Sequence, residues 1–166
     1  MGQYPLEALL SVRHYRETAA AGNARRAESD LKQAEQAAAD RADELTRFKT
    51  WHAEETERRY GSIMGVPCSI RELDEFKAGL ASLDAQEVLK EEALAAAEKE
   101  ADNKRKALEK ARAAVKAAQK ETAKIQAHKD IWTEDDKKET ERKEDLELEE
   151  FRPLSRHGAE AEGEDA

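Results

Sequence analysis

The chain has 166 residues and a formal charge of −9; 40% of it is Asp, Glu, Lys or Arg, and only 5% is aromatic. Ordering each backbone residue costs roughly 1–2 kcal/mol, which a deep core offsets with bulky side chains. So few aromatics exclude such a core and leave either disorder or a long helical stripe. The acidic balance disfavours nucleic acid as a partner.

No stretch is long and apolar enough to span a bilayer, so membrane insertion is not expected. The opening residues lack a basic segment followed by an apolar one, so a cleaved signal peptide is not expected either. One cysteine, Cys68, rules out an internal disulfide or a cysteine-based zinc site. The simplest reading is a cytoplasmic protein.

Helix breakers divide the chain. Pro5 suits the first turn of a helix, and from Leu6 to Arg59 only Gly22 interrupts good helix formers. The spacing predicts a first helix over about 6–59. Residues 60–69 hold two glycines and a proline, which make a tip loop. Ser69 and Glu72 then form an S-x-x-E capping box, with Cys68 and Leu73 placed for a hydrophobic staple. A second helix follows over about 70–152, where Pro153 is expected to stop it; residues 153–166 read as a disordered acidic tail.

Both helices carry apolar residues at alternating spacings of three and four. In the first the row is Ala20, Ala24, Ala27, Leu31, Ala34, Ala38, Arg41, Leu45 and Phe48, apolar except at Arg41. In the second it runs from Leu73 through Leu80, Leu83, Leu94, Ala101, Leu108 and Val115 to Ile125 and Trp132, with Glu87, Lys90, Lys104, Thr122 and Lys129 as polar exceptions. Such a row favours a coiled coil over disorder. The expected fold is therefore all-α: two long helices forming an antiparallel coiled-coil hairpin, the second longer. Counting outward from the loop, residue i should face a residue near 129 − i. Phe48 then lies against Leu80 and Leu83, Leu31 against Ala97, and Leu6 against Thr122 or Ile125.

On that register about 25 residues of the second helix overhang the first, with Trp132 near the base of the overhang and Ile131, Leu146, Leu148 and Phe151 around it. Exposed aromatic and apolar side chains are typical interface anchors. Three uses stand open: a partner site, a dimer contact or return of the N-terminus, and an idle surface. Charge is uneven as well. Lys99–Lys129 holds ten basic and four acidic residues. This stretch either faces an acidic partner or offsets the acidic first helix across the seam, the second being the plainer reading.

No motif marks catalysis. His14, His52, His128 and His157 are scattered without metal-ligand spacing, and His52 falls on the seam. No phosphate-binding glycine loop or nucleophile elbow occurs. Cys68 has no neighbouring Lys or His to lower its pKa. Two helices side by side offer no water-poor cavity. No enzyme activity, metal or cofactor is expected.

Two segments carry a resemblance. Tyr4-Pro5-Leu6-Glu7-Ala8-Leu9-Leu10-Ser11-Val12-Arg13 resembles the N-terminus of type III secretion stalk proteins of the SctO (YscO, CdsO) family, in particular its chlamydial-type members. His128-Lys129-Asp130-Ile131-Trp132 resembles a segment late in their second helix. The order of helix, short tip, longer helix and charged tail also fits. SctO proteins are similar to the flagellar protein FliJ and to the γ subunit of rotary ATPases. The resemblance implies a monomeric central stalk at the cytoplasmic face of a bacterial secretion apparatus. Its open end would enter and stimulate a hexameric secretion ATPase. Other surfaces would contact the export gate and, in some members, escort chaperones. Carried onto this chain, the ATPase-facing residues are Tyr4, Leu6, Leu9 and Leu10 with Ile125, Lys129 and Trp132. The glycine- and proline-containing tip with Cys68 departs from the family pattern. The competing readings are a self-associating structural coiled coil, an escort adaptor for chaperones, and a chaperone-like or nucleic-acid-binding hairpin that uses Lys99–Lys129, the last disfavoured by the net charge of −9.

Overall fold

A computed structural model describes residues 2–157, with side chains to Phe151. The described residues form two helices and no strand: α1 over Glu7–Ile63 and α2 over Ile70–His157. The helices pack against each other, and α2 is the longer. Among the described residues, no helix is long and apolar enough to cross a membrane.

Local chemistry sets the turn. Gly65 has φ 74°, the left-handed conformation that glycine adopts without a Cβ clash, just past the end of α1. The capping box forms as the spacing predicts. The Ser69 N–H donates to Glu72 Oε2 at 2.7 Å, and the Glu72 N–H donates to Ser69 Oγ at 3.2 Å. Those bonds hold the Glu72 carboxyl below its usual pKa, the backbone N–H contributing most.

The helices exceed their expected ends. α1 continues four residues past Arg59, through Gly61, and the Met64 N–H still donates to the Tyr60 carbonyl at 3.0 Å before Gly65 ends the helix. α2 runs through Pro153 to His157. Proline removes one intrahelical bond, and the carbonyl left over belongs to Glu149, an exposed residue that water can reach. The remainder of the expected tail, 158–166, lies outside the described residues.

The chain divides into two units, one joining Met1–Ala20 to Ala114–Ala166, the other Ala21–Ala113. In Ala21–Ala113 the seam is thin. Leu45, Leu83, Ala101 and Leu108 are buried, and the alternating row between them is half-buried. Arg41 is exposed, and its neighbour Ala42 takes the inward place. Near the turn, Tyr60 and Phe76 meet edge to face at 5.2 Å. Polar bridges flank the seam. Lys90 Nζ lies 2.9 Å from Glu44 and 5.3 Å from the Phe48 ring centre. His52 sits between Glu87, 2.5 Å from Nδ1, and Asp84, 3.2 Å from Nε2, so it is a seam residue as its place in the row predicts.

These pairs correct the register. Glu44 with Lys90, Tyr60 with Phe76, Arg13 with Glu121 and Glu7 with Lys129 put the partner of residue i near 136 − i. That is five to seven residues, close to one heptad, beyond the expected register. Phe48 thus meets Lys90, where Leu80 and Leu83 were expected. The longer α1 accounts for about four of these residues: residues assigned to the loop join the helix, and the reversal moves toward the C-terminus.

Candidate functional site

The seven residues expected to meet a partner, Tyr4, Leu6, Leu9, Leu10, Ile125, Lys129 and Trp132, all fall in the unit built from both ends of the chain. Gln3 to Leu6 precede α1 as a short non-helical strap. Tyr4 anchors it. Its carbonyl accepts the Glu7 N–H at 3.3 Å, starting α1, while its side chain turns onto α2 and is 5% exposed. There the phenol hydroxyl lies 2.7 Å from His128 Nδ1. The ring centres of His128 and Trp132 lie 5.7 and 5.6 Å away, tilted, as aromatic quadrupoles favour.

Charge surrounds this aromatic group. Lys129 Nζ lies 6.0 Å from the Tyr4 ring centre and 2.8 Å from Glu7 Oε2, so one ammonium serves a π face and a carboxylate. The Gly2 N–H donates to Asp136 Oδ2 at 3.3 Å. Leu10, 3% exposed, and Thr122 close the seam, the Thr122 hydroxyl donating to its own helix at the Ala118 carbonyl. Leu9 and Ile125 are half-buried, and Leu6 is exposed.

Two expectations change here. Trp132 is not an unpaired residue on an overhang: the longer register brings the strap to it. The overhang begins later, beyond Asp136. There α2 continues to His157, about 30 Å at 1.5 Å per residue. Leu146, Leu148 and Phe151 are exposed on this extension, Phe151 by 68%.

Second, the basic stretch of α2 makes few direct ion pairs to α1. Within Lys99–Lys129, only Arg105 with Glu35 at 3.4 Å and Lys129 with Glu7 reach basic-to-acidic across the seam among the described residues.

Sequence reasoning missed His128 and Asp136 as supports of the strap. The signal for His128 was available, since it opens the segment that carries the family resemblance and sits four residues before Trp132. Nothing in the sequence paired Asp136 with Gly2.

The two unequal antiparallel helices, with an aromatic clasp joining the N-terminal strap to α2 and a single-helix extension beyond it, define the class of helical-hairpin proteins. The comparisons identify the family. Residues 6–153 match the family model described as type III secretion protein YscO, and the chain belongs to that family. A solved structure described as that of a candidate YscO homolog, CT670, from Chlamydia trachomatis, has the same fold. It is 22% identical, with a TM-score of 0.77, covering 98% of this chain and 100% of that one. No curated protein matches the sequence. The protein is thus a type III secretion protein.

Proposed function

We propose that this protein is the central stalk of a type III secretion system, and that the end of the molecule carrying both termini binds and stimulates the hexameric secretion ATPase. The observation that carries this reading is the extension of α2 past Asp136, with Leu146, Leu148 and Phe151 exposed on a single helix. Exposed apolar residues on a stiff helix are suited to a narrow protein channel, where a partner supplies the missing contacts. The clasp of Tyr4, His128, Lys129 and Trp132 fits a role at the root of that extension, holding the two helices together under load. Coupling is mechanical and electrostatic, with no chemistry on the stalk. Contact with the export gate belongs to another surface of the same protein.

The register changes which variant tests this. Trp132→Ala disturbs the strap as well as any contact. Leu148→Ala with Phe151→Ala removes only exposed side chains. The ATPase of the same secretion system is assayed for ATP hydrolysis with increasing amounts of this protein. Stimulation by the natural chain and its loss in the double variant, at unchanged helicity, is the expected result. Absence of both binding and stimulation by the natural chain sinks the reading. Sedimentation equilibrium separates it from a self-associating spacer, for which apparent mass would rise with concentration.

A further inference from the structure

The outer face of α2 within the two-ended unit carries a row with no role in the fold. Lys116, Lys120 and Lys124 stand four residues apart, on one helix face, over about 12 Å. All three are exposed, while the seam positions between them, Val115, Ala118 and Thr122, are half-buried or buried. Like charges four apart destabilise a helix. Lys124 alone has a counter-charge among the described residues, at 2.9 Å from Glu121 of its own helix. That bond, with a smaller pull from Arg13, keeps the Glu121 carboxyl below its usual pKa. Lys116 and Lys120 form no ion pair among the described residues, and no α1 carboxylate answers the row.

We propose that this lysine row is a docking site for a short acidic helix of a protein partner, with carboxylates spaced to match it. Charge complementarity sets the sign of the partner, and the acidic flank bounds it on the C-terminal side. Asp130–Phe151 of the same helix holds eleven acidic and four basic residues. An extended polyanion, whether a nucleic acid or an anionic membrane, is repelled by those carboxylates where it runs toward the C-terminus, and DNA and vesicle controls test the opposite direction, along Lys99–Arg112. A helix of three or four turns meets the row and ends before those carboxylates. The site is separate from the extension beyond Asp136 and stands whether or not the ATPase contact does.

The test uses the full chain and a fluorescein-labelled helical peptide with Glu at three successive i, i+4 positions. Controls are the same peptide with Gln for Glu, a 20-base-pair DNA, and vesicles of phosphatidylserine and phosphatidylcholine. The Glu peptide is expected to bind, to weaken at least tenfold between 50 and 300 mM salt, and to lose at least tenfold in affinity to a Lys116→Gln, Lys120→Gln, Lys124→Gln variant. The variant should keep its helicity and melt within a few degrees of the natural chain, because the like-charge repulsion it sheds offsets the exposed Lys124–Glu121 pair it loses. Equal binding of the peptide to natural and variant chains overturns the proposal. So does row-dependent binding to DNA or to the vesicles that matches or exceeds the peptide.

Discussion

Tyr4 is the residue whose loss should be felt farthest along the site. Replacing a buried aromatic by alanine costs about 3–5 kcal/mol in a closed core. Tyr4 is covered chiefly from α2, by His128, Lys129 and Trp132, so the low end, about 3 kcal/mol, applies. About 1 kcal/mol of this is the hydroxyl bond to His128, which Tyr4→Phe isolates. The loss is local, since Tyr4 lies outside α1 and frees only the strap and the first helical turns. Global melting therefore shifts little. Native-state hydrogen exchange is the proper assay, read at the Leu10 amide, which donates to the Leu6 carbonyl at 2.9 Å. At about 1.4 kcal/mol per tenfold, protection should fall about a hundredfold in Tyr4→Ala and about fivefold in Tyr4→Phe. Trp132 emission should shift to the red in Tyr4→Ala, measured in a Trp51→Phe background. Unchanged Leu10 protection together with unchanged emission would refute the clasp.

Other outcomes follow from single residues. The Glu55 carboxyl, bonded first by Arg58 and then by Arg59, titrates at about 2 against an ordinary 4.5. Because the folded value is the lower one, these bonds stabilise the fold above about pH 4.5, and their contribution fades as pH falls toward 2. A carbon-detected NMR titration should show this, with Arg58→Ala raising the Glu55 value. Gly22 has open space where a Cβ would stand, so Gly22→Ala should add about 1 kcal/mol of stability by denaturant titration. Gly65→Ala should remove about 1 kcal/mol, because its φ of 74° costs any L side chain.

The helical hairpin was written in local features that need no tertiary knowledge. The Gly65–Pro67 break, the Ser69–Glu72 box and most of the alternating apolar row act within a few residues and appear in the structure where the spacing puts them, whereas Gly61 stays helical and Ala42 replaces Arg41 in the seam. The family likeness was carried by two short segments that tertiary structure brings together: Tyr4 lies against His128 and Trp132.

What the sequence left open was how far each helix runs. Helix ends are decided by small differences in free energy, and Tyr60 to Ile63 are compatible with loop and helix alike. A four-residue error there moves the pairing of every residue, because the reversal is the only fixed point of an antiparallel pair. A repeat of seven also looks the same when slid by one heptad, and the alanine-rich seam offers few large side chains to tell the two alignments apart. Tertiary packing settles it through particular contacts: Tyr60 on Phe76 near the turn, and Tyr4 on Trp132 at the other end. The sequence by itself therefore determined two helices, their order and their buried faces. Only the folded chain decided that Trp132 is clasped by the N-terminal strap and that the unpartnered helix begins beyond Asp136.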